Sequence, residues 1–172
     1  MKISLVLRFA LVAALLAAFP AGCAGSQPPP ASMASPLLDK QLPAFRRPAL
    51  DGTTVDTATS RGHVVVVKFF AKYCEPCKKT LPEAEAIHKE RADVVFIGVA
   101  EDEHDSDAQE MVQQFGLTFP VVHDQSNVLS GRFRVSDMPT TFVADKQGNI
   151  RWVGGSGQTG DDLRRAIDMA ER

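Results

Sequence analysis

At 172 residues and 44% hydrophobic content, the chain has enough apolar material for one ordinary core. Its 19 basic and 21 acidic residues give a net charge of −2, and losing a leader that carries Lys2 and Arg8 makes it more negative, which excludes a basic nucleic-acid-binding surface. Three cysteines are too few for a disulfide-rich scaffold, and two of them, Cys74 and Cys77, stand two residues apart with only Cys23 left over.

Lys2 and Arg8 precede an unbroken apolar run from Phe9 to Phe19, the length of a signal peptide and short for a bilayer span. Pro20-Ala21-Gly22-Cys23 follows. Ala-Gly-Cys resembles the lipobox at which bacterial lipoproteins are cut and lipidated, although Pro20 stands where that pattern usually has Leu. The resemblance implies a leader over residues 1–22 and a lipid anchor on Cys23. Cleavage after Ala24 would instead release a soluble protein, and either route exports the chain. Residues 23–36 include "GSQPPPASMASP", rich in Pro, Ser and Ala without an apolar period, and are expected to form an extended tether with no core of its own. One folded domain is expected from Leu37 to Arg172.

Within that domain "HVVVVKFF", His63 to Phe70, reads as a strand buried on both faces. Helical spacing of Leu81, Ala84 and Ile87 follows through Arg91, with Pro82 expected to kink the helix by removing a donor. "DVVFIGVA", Asp93 to Ala100, is a second buried strand. Ser106-Asp107-Ala108-Gln109 reads as a capping box for a helix that Gly116 stops after Phe115. A short strand "FPVVHD", a helical turn Val128 to Phe133, a strand Thr140 to Asp145, a turn at 146–149 and a strand "IRWVG" follow. The last two strands form a hairpin at the far side of the sheet. An amphipathic helix from Asp161 to Glu171 closes the chain. The order specifies an α/β fold with a mixed central sheet flanked by helices.

Cys74 and Cys77 fall at the seam between the first core strand and the following helix. A helix N-terminus has unpaired N–H groups and partial positive charge, so it stabilises a thiolate there. That makes Cys74 the nucleophile. Cys77, one turn on, is placed to attack a mixed disulfide at Cys74 and release the partner. A zinc site needs two further ligands, but there is no second CxxC and the histidines at 63, 88, 104 and 123 are scattered, so no metal is expected. A purely structural role is weak, because so short a loop constrains the unfolded chain little.

"FFAKYCEPCKKTLPEAE" and "FPVVHDQSNVLSGRFRVSDMPTTFVADKQGNIRWVGGSG" together resemble the TlpA/ResA-like branch of the thioredoxin fold, over roughly Leu37 to the C-terminus. The resemblance implies a thioredoxin fold with an inserted helix-strand element between Asp107 and Val122. It also implies an exported thiol–disulfide oxidoreductase, often a reductant in cytochrome c maturation, with no cofactor beyond the Cys74–Cys77 disulfide. Its expected partners are exported protein thiols or disulfides and a membrane thiol–disulfide electron donor. Met138-Pro139 matches the cis-proline beside the active site, where a missing N–H leaves the Met138 backbone free to pair with an extended substrate. Tyr73 stands where most relatives have Trp, which implies a changed contact surface with the same chemistry.

Glu101 matches an acid that handles the proton of the buried thiol. A partly buried carboxylate there would have a raised pKa suited to deprotonating Cys77; the alternative is a hydrated turn with Asp102, Glu103 and Asp105. Glu75 and Pro76, between the cysteines, are expected to tune the potential. The Glu75 carboxylate disfavours a Cys74 thiolate, Lys78 and Lys79 oppose it, and the balance favours a reductant. Rival readings are a copper carrier using Cys74, Cys77 and His123, a peroxiredoxin, which lacks its usual Thr because Ala71 stands three before Cys74, and a binding module without turnover.

Overall fold

A computed structural model describes residues 28–172. The expected leader and Cys23 lie outside that range. A two-stranded antiparallel hairpin, β1 (Arg46–Pro48) and β2 (Thr54–Asp56), precedes β3 (Val65–Phe70) and α1 (Glu75–Glu90). Then come β4 (Val95–Ala100), α2 (Asp105–Phe115), β5 (Val121–His123), α3 (Val128–Phe133), β6 (Thr140–Ala144), β7 (Ile150–Gly154) and α4 (Gly160–Glu171). The main sheet has the order β5-β4-β3-β6-β7, with β3 parallel to β4 and antiparallel to β6.

β3 is central and every one of its residues is buried, as its β-branched run requires. Its alternation feeds two cores. Val66 and Phe70 join Cys77, Leu81 and Ala84 of α1, Leu163 and Ile167 of α4 and Met111 of α2 on one face. Val65, Val67 and Phe69 join Leu129 and Phe133 of α3 and Phe45 and Val55 of the hairpin region on the other. The expected helix-strand insertion is present as α2 and β5, which adds the sheet's outer strand on the β4 side.

Several expectations change. No capping box forms at Ser106: α2 begins at Asp105 with His104 at its N-cap and no side-chain cap. Lys72 Nζ instead holds the first turn by binding Asp107 and Glu110 at 2.8 and 2.7 Å, and the two early aspartates oppose the helix dipole's positive end. Gly116 stops this helix in the left-handed conformation at φ 58°, which glycine adopts without a Cβ penalty. α4 carries the capping box, with Thr159 and Asp162 bonding reciprocally.

The segment read as a free tether is docked at its end. Met33 N donates to Val153 O at 2.7 Å, Val153 N donates to Ser32 Oγ at 3.0 Å, and Trp152 Nε1 donates to Ala31 O at 2.9 Å. Asp39 N and Lys40 O then pair with Ile150. Ala31 to Lys40 therefore run along β7 and satisfy an edge that would otherwise present unpaired N–H and C=O groups. Gly155 admits Met33 because a Cβ there would collide with its sulfur.

Candidate active site

The seam between β3 and α1 places the cysteines as their spacing requires. Cys74 is the N-cap of α1, and its Sγ accepts a hydrogen bond from Cys77 N at 3.2 Å. Glu75 and Pro76 occupy the first two helical positions, where proline removes no intrahelical bond. Cys74 and Cys77 are joined as a disulfide with an S–S distance of 2.06 Å. Cys77 is 0% exposed and Cys74 6%, so an incoming thiolate meets Cys74 first.

The bond between Met138 and Pro139 is cis. Met138, Asp137, Ser136 and Val135 form one wall of a cleft of about 530 Å³, with Tyr73, Cys74, Glu75, Pro76 and Glu101 on the other. Met138 is half-buried and also packs on the core beneath the disulfide. Tyr73 is 70% exposed and divides this cleft from a larger one of about 930 Å³, lined by Lys72, Glu101, Asp102, Asp107 and Asn127 among others. Tyr73 thus presents an aromatic face to any partner approaching Cys74.

Glu101 reaches both clefts. Its backbone N donates to Phe70 O at 2.9 Å, tying the end of β4 to the end of β3. One of its carboxylate oxygens is buried without a partner. Burial first, and then the Asp124 carboxylate, push its pKa up to about 7. Of the two readings of this residue, the half-buried acid is the one found.

Glu75 and Lys78 form an ion pair at 2.5 Å on the exposed face of α1, so the opposed charges expected beside Cys74 are spent on one another. Lys79 faces solvent. His123 does not join the cysteines: its Nε2 lies 2.7 Å from Asp102 O. Among the described residues, no group of three or more His, Cys, Asp or Glu side chains is arranged to hold a metal ion.

Two residues here, Asp124 and Lys68, escaped sequence reasoning, and a third, Asp102, was read as part of a hydrated turn but is buried. Asp124 is 3% exposed and accepts from Leu129 N, Ser130 N and Ser130 Oγ at 2.8 to 3.1 Å, which anchors α3 beside Glu101. Asp102 accepts from Lys72 N at 2.8 Å. Lys68, at the middle of β3, is 1% exposed. A charged residue inside "VVVKFF" was the readable signal for the last of these.

A five-stranded mixed sheet, a helix starting at a CxxC disulfide and a cis-proline facing it define a thioredoxin-fold domain of the thiol–disulfide oxidoreductase class. The chain belongs to the AhpC/TSA family, whose match covers residues 38–153. It is 31% identical over 116 residues to the thiol–disulfide oxidoreductase ResA of Bacillus thuringiensis, a match covering 66% of each chain. A putative thiol:disulfide interchange protein DsbE from Chlorobium tepidum superposes with a TM-score of 0.71 at 26% identity, covering 77% of this chain and 98% of that one. A secreted Mycobacterium tuberculosis disulfide oxidoreductase shares the fold, with a TM-score of 0.68 at 21% identity over 73% and 96% of the two chains.

Proposed function

We propose that the protein is an exported thiol–disulfide oxidoreductase that reduces disulfides of exported proteins, in the manner of cytochrome c maturation. It is held to the membrane by lipid on Cys23 and re-reduced by a membrane dithiol donor. The observation that carries this reading is the Cys74–Cys77 disulfide at the α1 N-terminus, with Cys74 lining the same cleft as Met138.

In the reduced protein the Cys74 thiolate, stabilised by the helix N-terminus, attacks a substrate disulfide. One substrate sulfur leaves and a mixed disulfide forms. Cys77 then gives its proton to Glu101, whose pKa near 7 suits it to accept one at neutral pH. The Cys77 sulfur attacks Cys74 Sγ, the intramolecular disulfide forms and the second substrate sulfur departs. The Met138 backbone beside Pro139 aligns an extended substrate strand, and Tyr73 supplies the aromatic contact.

Replacing Cys77 with Ser removes the resolving thiol, so Cys77→Ser should accumulate mixed disulfides through Cys74 that run as higher-mass adducts on non-reducing gels. Adducts on Cys74→Ser in place of Cys77→Ser would reverse the two roles, and none on either would sink the reading.

A further inference from the structure

The larger cleft beside the active site has no part in the exchange just described. It holds about 930 Å³ and shares Tyr73, Glu75 and Glu101 with the cleft of Cys74, so a chain lying across Cys74 reaches it by crossing Tyr73. The loop after β4 lines it with Glu101, Asp102 and Glu103, and the segment before α3 lines it with Gln125 to Asn127. Tyr73 is 70% exposed, and Val128, next in the chain after Asn127, is 40% exposed. Among the described residues these are the large apolar side chains left open to solvent.

The charges of this cleft do not cancel. Both lysines that line it are already engaged: Lys78 pairs with Glu75 at 2.5 Å, and Lys72 Nζ pairs with Asp107 at 2.8 Å and Glu110 at 2.7 Å. Among the described residues Glu101, Asp102 and Glu103 make no ion pair with these lysines, and the nearby His123 ring meets the Asp102 backbone oxygen, leaving the carboxylate aside. Asp102 is 4% exposed; Oδ1 accepts from Lys72 N at 2.8 Å, and Oδ2 is buried without a partner. Glu101 Oε1 is in the same condition, and Glu103 is exposed. Buried acceptors without donors are rare in folded proteins and cost stability, so two in one cleft point to a donor that comes from outside.

The chemistry of that donor follows from the lining. Among the described residues no three His, Cys, Asp or Glu side chains are arranged as a metal-ligand set. A long side chain with an apolar stem and a cationic head fits both parts of the lining, its stem on the Tyr73 ring and its head toward the carboxylates. An extended strand advances about 3.3 Å per residue, so roughly two to four residues carry a substrate from Cys74 across Tyr73. We propose that this cleft is a subsite for a lysine or arginine of the substrate protein, a few residues from the cysteine that Cys74 attacks. An acidic residue at the same place meets three carboxylates, so the subsite rejects as well as selects.

This inference rests on the reading that Cys74 attacks substrate disulfides, and two measurements keep the fates of the two apart. In the reduced full chain carrying Cys23→Ser, attack by Cys74 is timed on short peptides whose single cysteine is disulfide-linked to a chromophoric thiol. The peptides carry Lys, Met or Glu three residues before or after that cysteine. The Lys peptide should react roughly tenfold faster than the Glu peptide at low ionic strength, with Met between them. Salt should shrink the preference, and Glu103→Lys should remove most of it. Equal rates for the three peptides in both placements, or a preference untouched by Glu103→Lys, overturn the proposal. The same peptides with Ser in place of cysteine are then titrated into the oxidised chain and followed by nuclear magnetic resonance. Shifts at Tyr73, Glu103 and Val128 with the Lys peptide and not with the Glu peptide support the subsite, and shifts alike for both overturn it. If no peptide is attacked but the Lys peptide binds here, the functional reading fails and the subsite stands. If all are attacked and bound alike, the subsite fails and the functional reading stands.

Discussion

The two faces of the central sheet are built on different rules. On the α3 side the core contains a phenylalanine cluster: Phe133 meets Phe69, Phe142 and Phe45 at ring-centroid distances of 5.0, 5.3 and 6.1 Å. On the α1 side the same sheet supports a disulfide, a buried lysine and an orphan carboxylate oxygen. Aromatic packing gives stability through area and geometry and responds little to pH. Buried ionisable groups cost stability and respond to pH and redox state. The α1 face buries a wide apolar set as well, with Phe96 and Phe119 at a ring-centroid distance of 6.0 Å, and that packing lets it hold, beneath the cysteines, groups that would be costly in an ordinary core.

Phe133→Ala should separate the two faces most clearly. It removes the ring common to three aromatic contacts and should cost about 3–5 kcal/mol in denaturant unfolding, while the reduction potential of the folded protein stays unchanged. A shifted potential would mean that the faces are coupled.

The next effect is smaller and opposite in sign. Lys68 is lowered in the fold to about 7 from 10.5, so between those values the unfolded chain holds a proton that the native state lacks. Stability therefore rises as pH climbs through that window, by about 2 kcal/mol from pH 7 to 9 on linkage alone. Lys68→Met should abolish that rise and be more stable than the parent at pH 7, as urea unfolding at several pH values would show. A rise that persists in Lys68→Met would assign it to another group.

Glu101→Gln should have the smallest effect. Its pKa is raised to about 7, so the carboxylate becomes available as a proton acceptor only as pH rises through neutrality. The resolution rate of a preformed mixed disulfide should fall above pH 7 in the variant, because its proton acceptor is gone, and the parent's inflection near 7 should vanish. A parent rate with no inflection there would remove Glu101 from the proton path.

Much of this architecture was legible in the sequence because its signals were long and local. "HVVVVKFF" and "DVVFIGVA" can bury both faces only inside a parallel arrangement, and the CxxC at the strand-to-helix seam located the disulfide. Met138-Pro139 was readable through a motif. The rest depended on contacts distant in sequence. The docked segment at Ser32 and Met33 looks like linker because its order comes from β7, some 120 residues away. The β1–β2 hairpin is three residues a side, too short for a period to show. The capping box was assigned to Ser106 because local pattern cannot see Lys72 reaching across to Asp107. Asp124 sits five and six residues before the N–H groups it satisfies, outside the spacing of a helix cap. Lys68 was visible as a letter, but only the sheet order reveals that its strand is covered on both faces.

In the proposed function Cys74 and Cys77 form a reversible couple poised to donate electrons. Equilibrating the full chain against dithiothreitol or glutathione buffers and reading free thiols by alkylation gives its reduction potential directly. A couple that donates electrons should have a value near that of thioredoxin, about −270 mV. A value near about −120 mV would make the protein a disulfide-installing oxidant and contradict the direction of electron flow proposed for it.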